Sequence, residues 1–245
     1  MMKLMIVGAT SAIAHETAKR FAADGAEFFI VGRNAEKLTA VQHDLEVRGA
    51  ARVVPYPFDL SDLARHGAMI TAAYESLGRL DAVLIAHGTL TDQARAQNDV
   101  DETLRELQTN ALSYISLLTL LAERFERQRR GCIAVISSVA GDRGRGSNYI
   151  YGTAKGAVSL FTSGLRARLS KVGVPVVTIK PGLVDTPMTA HLRKNPLYAR
   201  PESVGKRIYA AMLKGEAVVY TPWFWRYIML AICHIPEWLF KRLSL

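Results

Sequence analysis

Cysteine is scarce in this chain of 245 residues. Cys132 and Cys233 are the only two, too few for a disulfide framework and without the spacing of a metal site. The sequence therefore predicts free thiols, a reducing cytoplasmic compartment and no metal. Long apolar runs are also missing. The longest uncharged stretch near the C-terminus, Tyr227 to Pro236, has ten residues, against the roughly 20 that a membrane-spanning helix needs. The opening residues, Met1 to Ala14, lack the apolar stretch and cleavage site of a secretory leader, so the mature chain is expected to start at Met1. No zinc-finger or RNA-recognition pattern is present, which argues against nucleic acid as a partner. No repeat or low-complexity linker divides the chain, and 49% apolar content over this length predicts one large core.

Charge is present but uneven. The formal net charge is +9, and residues 193–245 hold nine Lys or Arg against Glu202, Glu216 and Glu237. The basic excess is thus mostly C-terminal, where an anionic substrate or membrane surface would meet it.

The pattern of apolar residues alternates between two periods. Leu4–Val7, 27–33, 51–60, 81–88, 132–141 and 175–182 read as strands, while 14–25, 34–49, 63–78, 101–131, 149–173 and 201–215 have helical spacing. Strands alternating with helices require crossovers, which predicts an α/β fold with a doubly wound parallel sheet covered by helices on both faces. On this reading residues 1–216 form the domain, and 217–245 form an apolar, basic tail.

The first strand runs into a turn and helix written GATSAIA, where Gly8 lets backbone N–H groups of Thr10, Ser11, Ala12 and Ile13 approach a pyrophosphate at the positive end of the helix. Alanines at 12 and 14 stand where dinucleotide binders more often have glycine. Arg33, 25 residues after Gly8, occupies the place where an acid would bind the ribose hydroxyls of NAD. A cation there suits a ribose phosphate, so NADP(H) is the expected cofactor, with NAD(H) not excluded. Asp59, after the third strand, is placed to accept a hydrogen bond from the adenine amino group.

Chemistry is concentrated in three residues. Ser138 ends a strand, Tyr151 follows thirteen residues later, and Lys155 lies one helical turn beyond Tyr151 on the same face. A free phenol titrates near pH 10 and needs a neighbouring cation to exchange its proton at neutral pH. Lys155 supplies that charge, and Ser138 can hold the substrate oxygen.

With its Tyr151–Lys155 YxxxK motif, Ser138 and the order of its elements, the chain resembles the short-chain dehydrogenase/reductase family over roughly residues 4–215. The resemblance implies a Rossmann fold, a carbonyl or alcohol substrate and a homo-oligomer paired through two long helices. It further implies that Asn110 holds a water linking Lys155 to solvent. In the same way Asp59 and Leu60 would contact adenine, and Pro181, Gly182, Val184 and Thr186 would border the nicotinamide. Tyr151 and Lys155 would contact the cofactor as well as the substrate, and Ala86 and Gly88 would line it after the fourth strand, where the family's asparagine, alanine, glycine is Ala86, His87, Gly88 here. His87 is expected to be structural.

Beyond Val219 three tryptophans and several aliphatic residues sit among Arg226, Lys241 and Arg242. This composition predicts an interfacial helix or hairpin that contacts a membrane inner face or a partner subunit. The tail and GATSAIA together resemble bacterial reductases related to decaprenylphosphoryl-2-keto-pentose reductase, which implies a lipid-linked keto-sugar as substrate; the basic loop after Thr186 offers Arg193, Lys194 and Arg200 to its phosphate, or is a solvated loop. The expected activity is NADPH-dependent carbonyl reduction. The alternatives are an epimerase with tightly held cofactor and a non-catalytic nucleotide-binding or membrane scaffold protein.

Overall fold

Short runs of β-branched and large apolar residues suit strands buried on both faces, as a parallel sheet requires. The computed structural model describes residues 1–190 and 192–243. Its strands are β1 (Lys3–Val7), β2 (Glu27–Gly32), β3 (Arg52–Pro57), β4 (Ala82–Ile85), β5 (Cys132–Ile136), β6 (Val176–Pro181) and β7 (Val218–Thr221). They form one sheet in the order β3-β2-β1-β4-β5-β6-β7, with every neighbouring pair parallel. The helices are α1 (Ala12–Ala23), α2 (Ala35–Val47), α3 (His66–Leu77), α4 (Gln93–Ala96), α5 (Val100–Leu107), α6 (Ser113–Gln128), α7 (Tyr149–Ser170), α8 (Pro201–Lys214), α9 (Trp225–His234) and α10 (Glu237–Phe240).

Alternation along β1 shows how the layers form, because successive side chains point to opposite faces. Leu4 and Ile6 join a cluster with Phe21 of α1, Leu45 of α2 and Ile208 of α8. Met5 and Val7 join one with Met69 of α3, Leu117 of α6 and Leu165 of α7. The result is three layers, α/β/α. Winding reverses between β1 and β4, so the connections leaving their C-terminal ends diverge and open a crevice there.

Two features depart from the sequence expectation. The predicted helix over 101–131 is broken by a single π turn at Gln108–Leu112, between α5 and α6. Such turns accommodate an extra residue and re-aim the side chains beside them; here the re-aimed residue is Asn110. The second departure is β7, which extends the sheet past β6 with Thr178 opposite Val218. Only four residues long and half exposed, it carries too short a pattern to stand out from the apolar residues that follow it. The tail then folds as α9 and α10, whose Trp225 and Met229 pack with Val139 in a third apolar cluster. Ser244 and Leu245 of that tail lie outside the described residues. Among the described residues no helix is long and apolar enough to cross a membrane.

Candidate active site

The residues singled out from the sequence come together along one cleft of about 1090 Å³ at the C-terminal ends of the strands. Gly8, Thr10, Ser11, Ala12, Ile13, Arg33, Asp59 and Leu60 line one end. Ala86, Gly88, Asn110, Ser138, Tyr151 and Lys155 line the middle, and Pro181, Gly182, Val184 and Thr186 close the other side.

The end lined by Gly8 to Ile13 is mostly backbone. Gly8 has a φ of +82°, a conformation that L side chains rarely adopt, and a Cβ there would lie 2.5 Å from the backbone nitrogen of His87. Its N–H donates to the Val31 carbonyl at 2.9 Å, which pins the turn over β2. Ser11 caps α1 without a side-chain hydrogen bond, so its hydroxyl leaves the first N–H groups of that helix open, where the macrodipole favours an anion. Ala14 turns its methyl into the core, whereas the half-buried Ala12 lines the cleft. These residues fit a dinucleotide, because the close-approach glycine and the uncapped helix end leave the space and the donors that a pyrophosphate needs. Arg33 stands exposed at the end of β2. Asp59 accepts from the Ser61 backbone N–H at 3.0 Å and the Ser61 hydroxyl at 2.9 Å. Its carboxyl is held below the usual range chiefly by that backbone bond, with the charge of Arg33 adding to it.

Buried side chains make up the middle. The Ser138 hydroxyl accepts the Ala140 N–H at 3.1 Å, leaving its own proton to donate. Ser137 is different: its hydroxyl is taken up by the Lys155 carbonyl at 2.9 Å and by Ser159 at 2.8 Å. Burial pushes the Tyr151 phenol up to about 12, against the opposing effect of a hydrogen bond with Ser138. Lys155 is 3% exposed, and its ammonium is brought down to about 7 by burial, with the Glu106 carboxylate pulling the other way. Its Nζ donates to the Ile136 carbonyl at 3.2 Å and the Tyr114 hydroxyl at 3.3 Å, and lies 5.7 Å from the centre of the Tyr151 ring.

Asn110 is fully buried, and its amide is held by the Thr89 and Glu106 side of the cleft. Its Nδ2 donates to Glu106 Oε1 at 2.8 Å and Thr89 Oγ1 at 3.1 Å, while its Oδ1 accepts the Thr89 N–H at 3.2 Å. The Thr89 hydroxyl in turn donates to Glu106 Oε2 at 2.8 Å. Burial raises the Glu106 carboxyl above its usual value. His87 stacks on Tyr114 with ring centres 4.3 Å apart and shares a 2.6 Å hydrogen bond with Ser113, and the Tyr114 hydroxyl donates to the His87 carbonyl. Desolvation drives the His87 imidazole far below its usual pKa, so it stays neutral in a stack that props Lys155 from behind.

Glu106, Tyr114, Trp225 and Arg145 are among the lining or supporting residues that escaped the sequence reading. Glu106 lies one helical turn before Asn110, a spacing that could have paired them. Tyr114 supports Lys155 from a different helix, and its position beside the π turn gives no periodic signal. Trp225 belongs to the tail, yet it lines the cleft against Gly182, where an added Cβ would come within 1.9 Å of the indole nitrogen. Arg145 lines the cleft from the loop before α7. By contrast, Arg193, Lys194 and Arg200 are not among the residues lining it, and Lys194 is paired with Asp185 at 2.7 Å.

A family model described as short chain dehydrogenase matches residues 3–197. An uncharacterized oxidoreductase of Mycobacterium tuberculosis is 36% identical over 240 residues, which cover 98% of this chain and 96% of that one. Another, from Streptomyces coelicolor, is 32% identical over 241 residues, or 98% and 95% of the two chains. Among solved structures, levodione reductase superposes with a TM-score of 0.81 at 24% identity, covering 89% of this chain and 95% of its own. A variant of actinorhodin polyketide ketoreductase with NADPH does so with the same TM-score and coverage at 22% identity. These two likenesses speak to the fold.

Proposed function

The chain belongs to the short-chain dehydrogenase family, and from that premise we propose that it reduces a ketone at the expense of NADPH. The observation that carries this reading is the convergence of Ser138, Tyr151 and Lys155 on one cleft, beside a turn built to admit a pyrophosphate. When bound, the nicotinamide supplies the hydride. The Ser138 hydroxyl holds the carbonyl oxygen, and the Tyr151 phenol gives that oxygen its proton. Burial raises the Tyr151 phenol, which keeps its proton at neutral pH but makes it a weaker acid than a free phenol, so the transfer depends on a neighbour that stabilises the phenolate. The Lys155 ammonium stabilises the phenolate left behind, and Asn110 with Glu106 keeps the polar side of the cleft in place. Gly8, Thr10, Ser11, Ala12 and Ile13 are assigned to the pyrophosphate, and Asp59 and Leu60 to adenine. Ala86, Gly88, Pro181, Gly182, Val184 and Thr186 are assigned to the ribose and nicotinamide. Arg33 favours the ribose phosphate of NADPH over NADH.

The apolar wall of Val139, Leu183 and Trp225 favours a hydrophobic ketone. A lipid-linked keto-sugar is the narrower proposal within that class. It is supported by the outer face of the tail, where Trp223, Tyr227, Leu230 and Trp238 are exposed beside Arg226, Lys241 and Arg242, a composition suited to a membrane headgroup region. Residues 217–245 would then serve both as part of the cleft wall and as a peripheral contact on the inner face of the cytoplasmic membrane. Exposed Leu112, Leu120 and Leu160 on the long helical segments around Asn110 and Tyr151 support pairing of two copies there.

The test is NADPH oxidation by the purified chain across a panel of ketones, set beside NADH and beside Tyr151→Phe. Turnover that prefers NADPH and disappears in the variant supports the proposal. Cofactor binding without net oxidation across the panel contradicts it.

A further inference from the structure

The loop after β5 holds two arginines with opposite fates. Arg143 is fully engaged: its guanidinium donates to the Ile232 and Ile235 carbonyls at 2.6 Å and to Glu237 at 2.9 Å, and it lies 3.6 Å above the Phe240 ring. It ties α9 and α10 to the body of the molecule. Arg145, two residues on, is half-buried in the cleft wall, and its Nε is enclosed without a hydrogen-bond partner among the described residues. The nearby carboxylate, Asp142, is already taken by Lys180 at 2.5 Å and the Tyr220 hydroxyl at 2.8 Å. Asn148 lines the same wall, and its Oδ1 is likewise buried and unpartnered.

A guanidinium taken partly out of water with its Nε–H left without a partner is costly, and such a group calls for a partner that completes it, a water, an ion or a ligand. Its fork of N–H donors matches the two oxygens of a carboxylate or phosphate. The surrounding wall is apolar, from Val139, Leu183 and Trp225. We propose that Arg145 is a specificity residue that binds an oxoanion, a carboxylate or phosphate, carried by an otherwise apolar ketone substrate. This rests on the ketone-reductase reading above and narrows its substrate class.

The experiment uses the full chain with NADPH and three ketones of common frame: 4-acetylbenzoate, its methyl ester, and 4-acetylphenyl phosphate. A charge-assisted pair contributes about 1.5–3 kcal/mol, so kcat/KM for the better anion is expected to exceed that for the ester by roughly 10- to 100-fold. The carboxylate and phosphate arms show which oxoanion the site takes. In Arg145→Met that ratio is expected to fall toward one, chiefly through KM, and in Arg145→Lys to recover in part. The melting temperature of Arg145→Met is expected to stay level or rise, because the change removes a partly desolvated charge whose Nε–H has no partner among the described residues; a structural role would lower it. Calorimetric titration of the NADP+ complex, which has no hydride to give a ketone, with 4-acetylbenzoate reads the site without turnover. Binding lost in Arg145→Met without any reduction would keep the anion site and sink the reductase reading. Reduction with no preference for either anion, or a preference that survives in Arg145→Met, would overturn the proposal and leave the reductase reading standing.

Discussion

At the nucleotide end of the cleft, the wall is backbone and small side chains drawn largely from one strand-to-helix turn, Gly8 to Ile13. At the carbonyl end it is made of large side chains from separated segments: Ser138 and Arg145 after β5, Tyr151 and Lys155 on α7, and Trp225 on α9. The first end is shaped by steric permission, since a Cβ at Gly8 would meet the His87 backbone. The second is shaped by burial of polar groups, Tyr151 and Lys155 among them displaced from their usual ionisation by loss of water and partly restored by Ser138 and Glu106. A nucleotide binder needs a surface, whereas a proton donor needs an environment.

The sharpest way to break this comparison is Tyr151→Phe, which removes the proton and keeps the ring. Turnover is expected to fall by about 10²- to 10⁴-fold, while NADPH affinity, read by fluorescence titration, stays the same. An equal loss of both would mean that the two ends are not separable. Next comes the tail. Trp225→Ala empties part of the carbonyl wall and should lower stability by about 3 kcal/mol and raise KM. Trp223→Ala, 70% exposed on the same segment, should stay within about 0.5 kcal/mol. Denaturant unfolding of both variants checks this, and equal effects would show that the tail does not wall the cleft.

Cofactor choice tests the nucleotide end alone. Arg33→Glu is expected to shift the NADPH-to-NADH ratio of kcat/KM toward NADH by roughly tenfold or more, with the identity of the best ketone unchanged. A more specific effect concerns Lys155. In the folded chain its ammonium is brought down to about 7 from its ordinary 10.5, so between those values the unfolded chain binds more protons. The penalty of burying the charge is fully present below about pH 7 and is relieved as pH rises toward 10.5. Wild type should therefore gain stability relative to Lys155→Met between pH 7 and 9.5, as urea midpoints would show; a constant gap would mean that Lys155 is not desolvated.

Legibility in the sequence followed the same division. The alternation that builds the parallel sheet is local, and so are the GATSAIA turn and the Tyr151–Lys155 spacing; each can be read within one or two elements. The π turn at Asn110 could not be read, because it depends on how Glu106 and Thr89 satisfy a buried amide. Strand β7 was hidden by its brevity and by the apolar residues after it. Trp225 was legible as apolar but not as part of the cleft, since its place there is set by contact with Gly182, far from it in the chain. Arg145 had no signal at all, as an arginine in a glycine-rich loop is usually solvated. What the sequence missed lies mainly at the carbonyl end, where function depends on long-range enclosure.

The central claim is that hydride passes between the nicotinamide and a carbonyl within this cleft while Tyr151 provides the proton. It is tested most directly by incubating the chain with NADPH deuterated at the transferable position and the best ketone of the panel, then weighing the product. One deuterium per alcohol formed, one NADPH consumed for each, and no labelled product with Tyr151→Phe is the expected result. Tight NADPH binding with no label in any product, or a labelled product formed equally well by Tyr151→Phe, would contradict it.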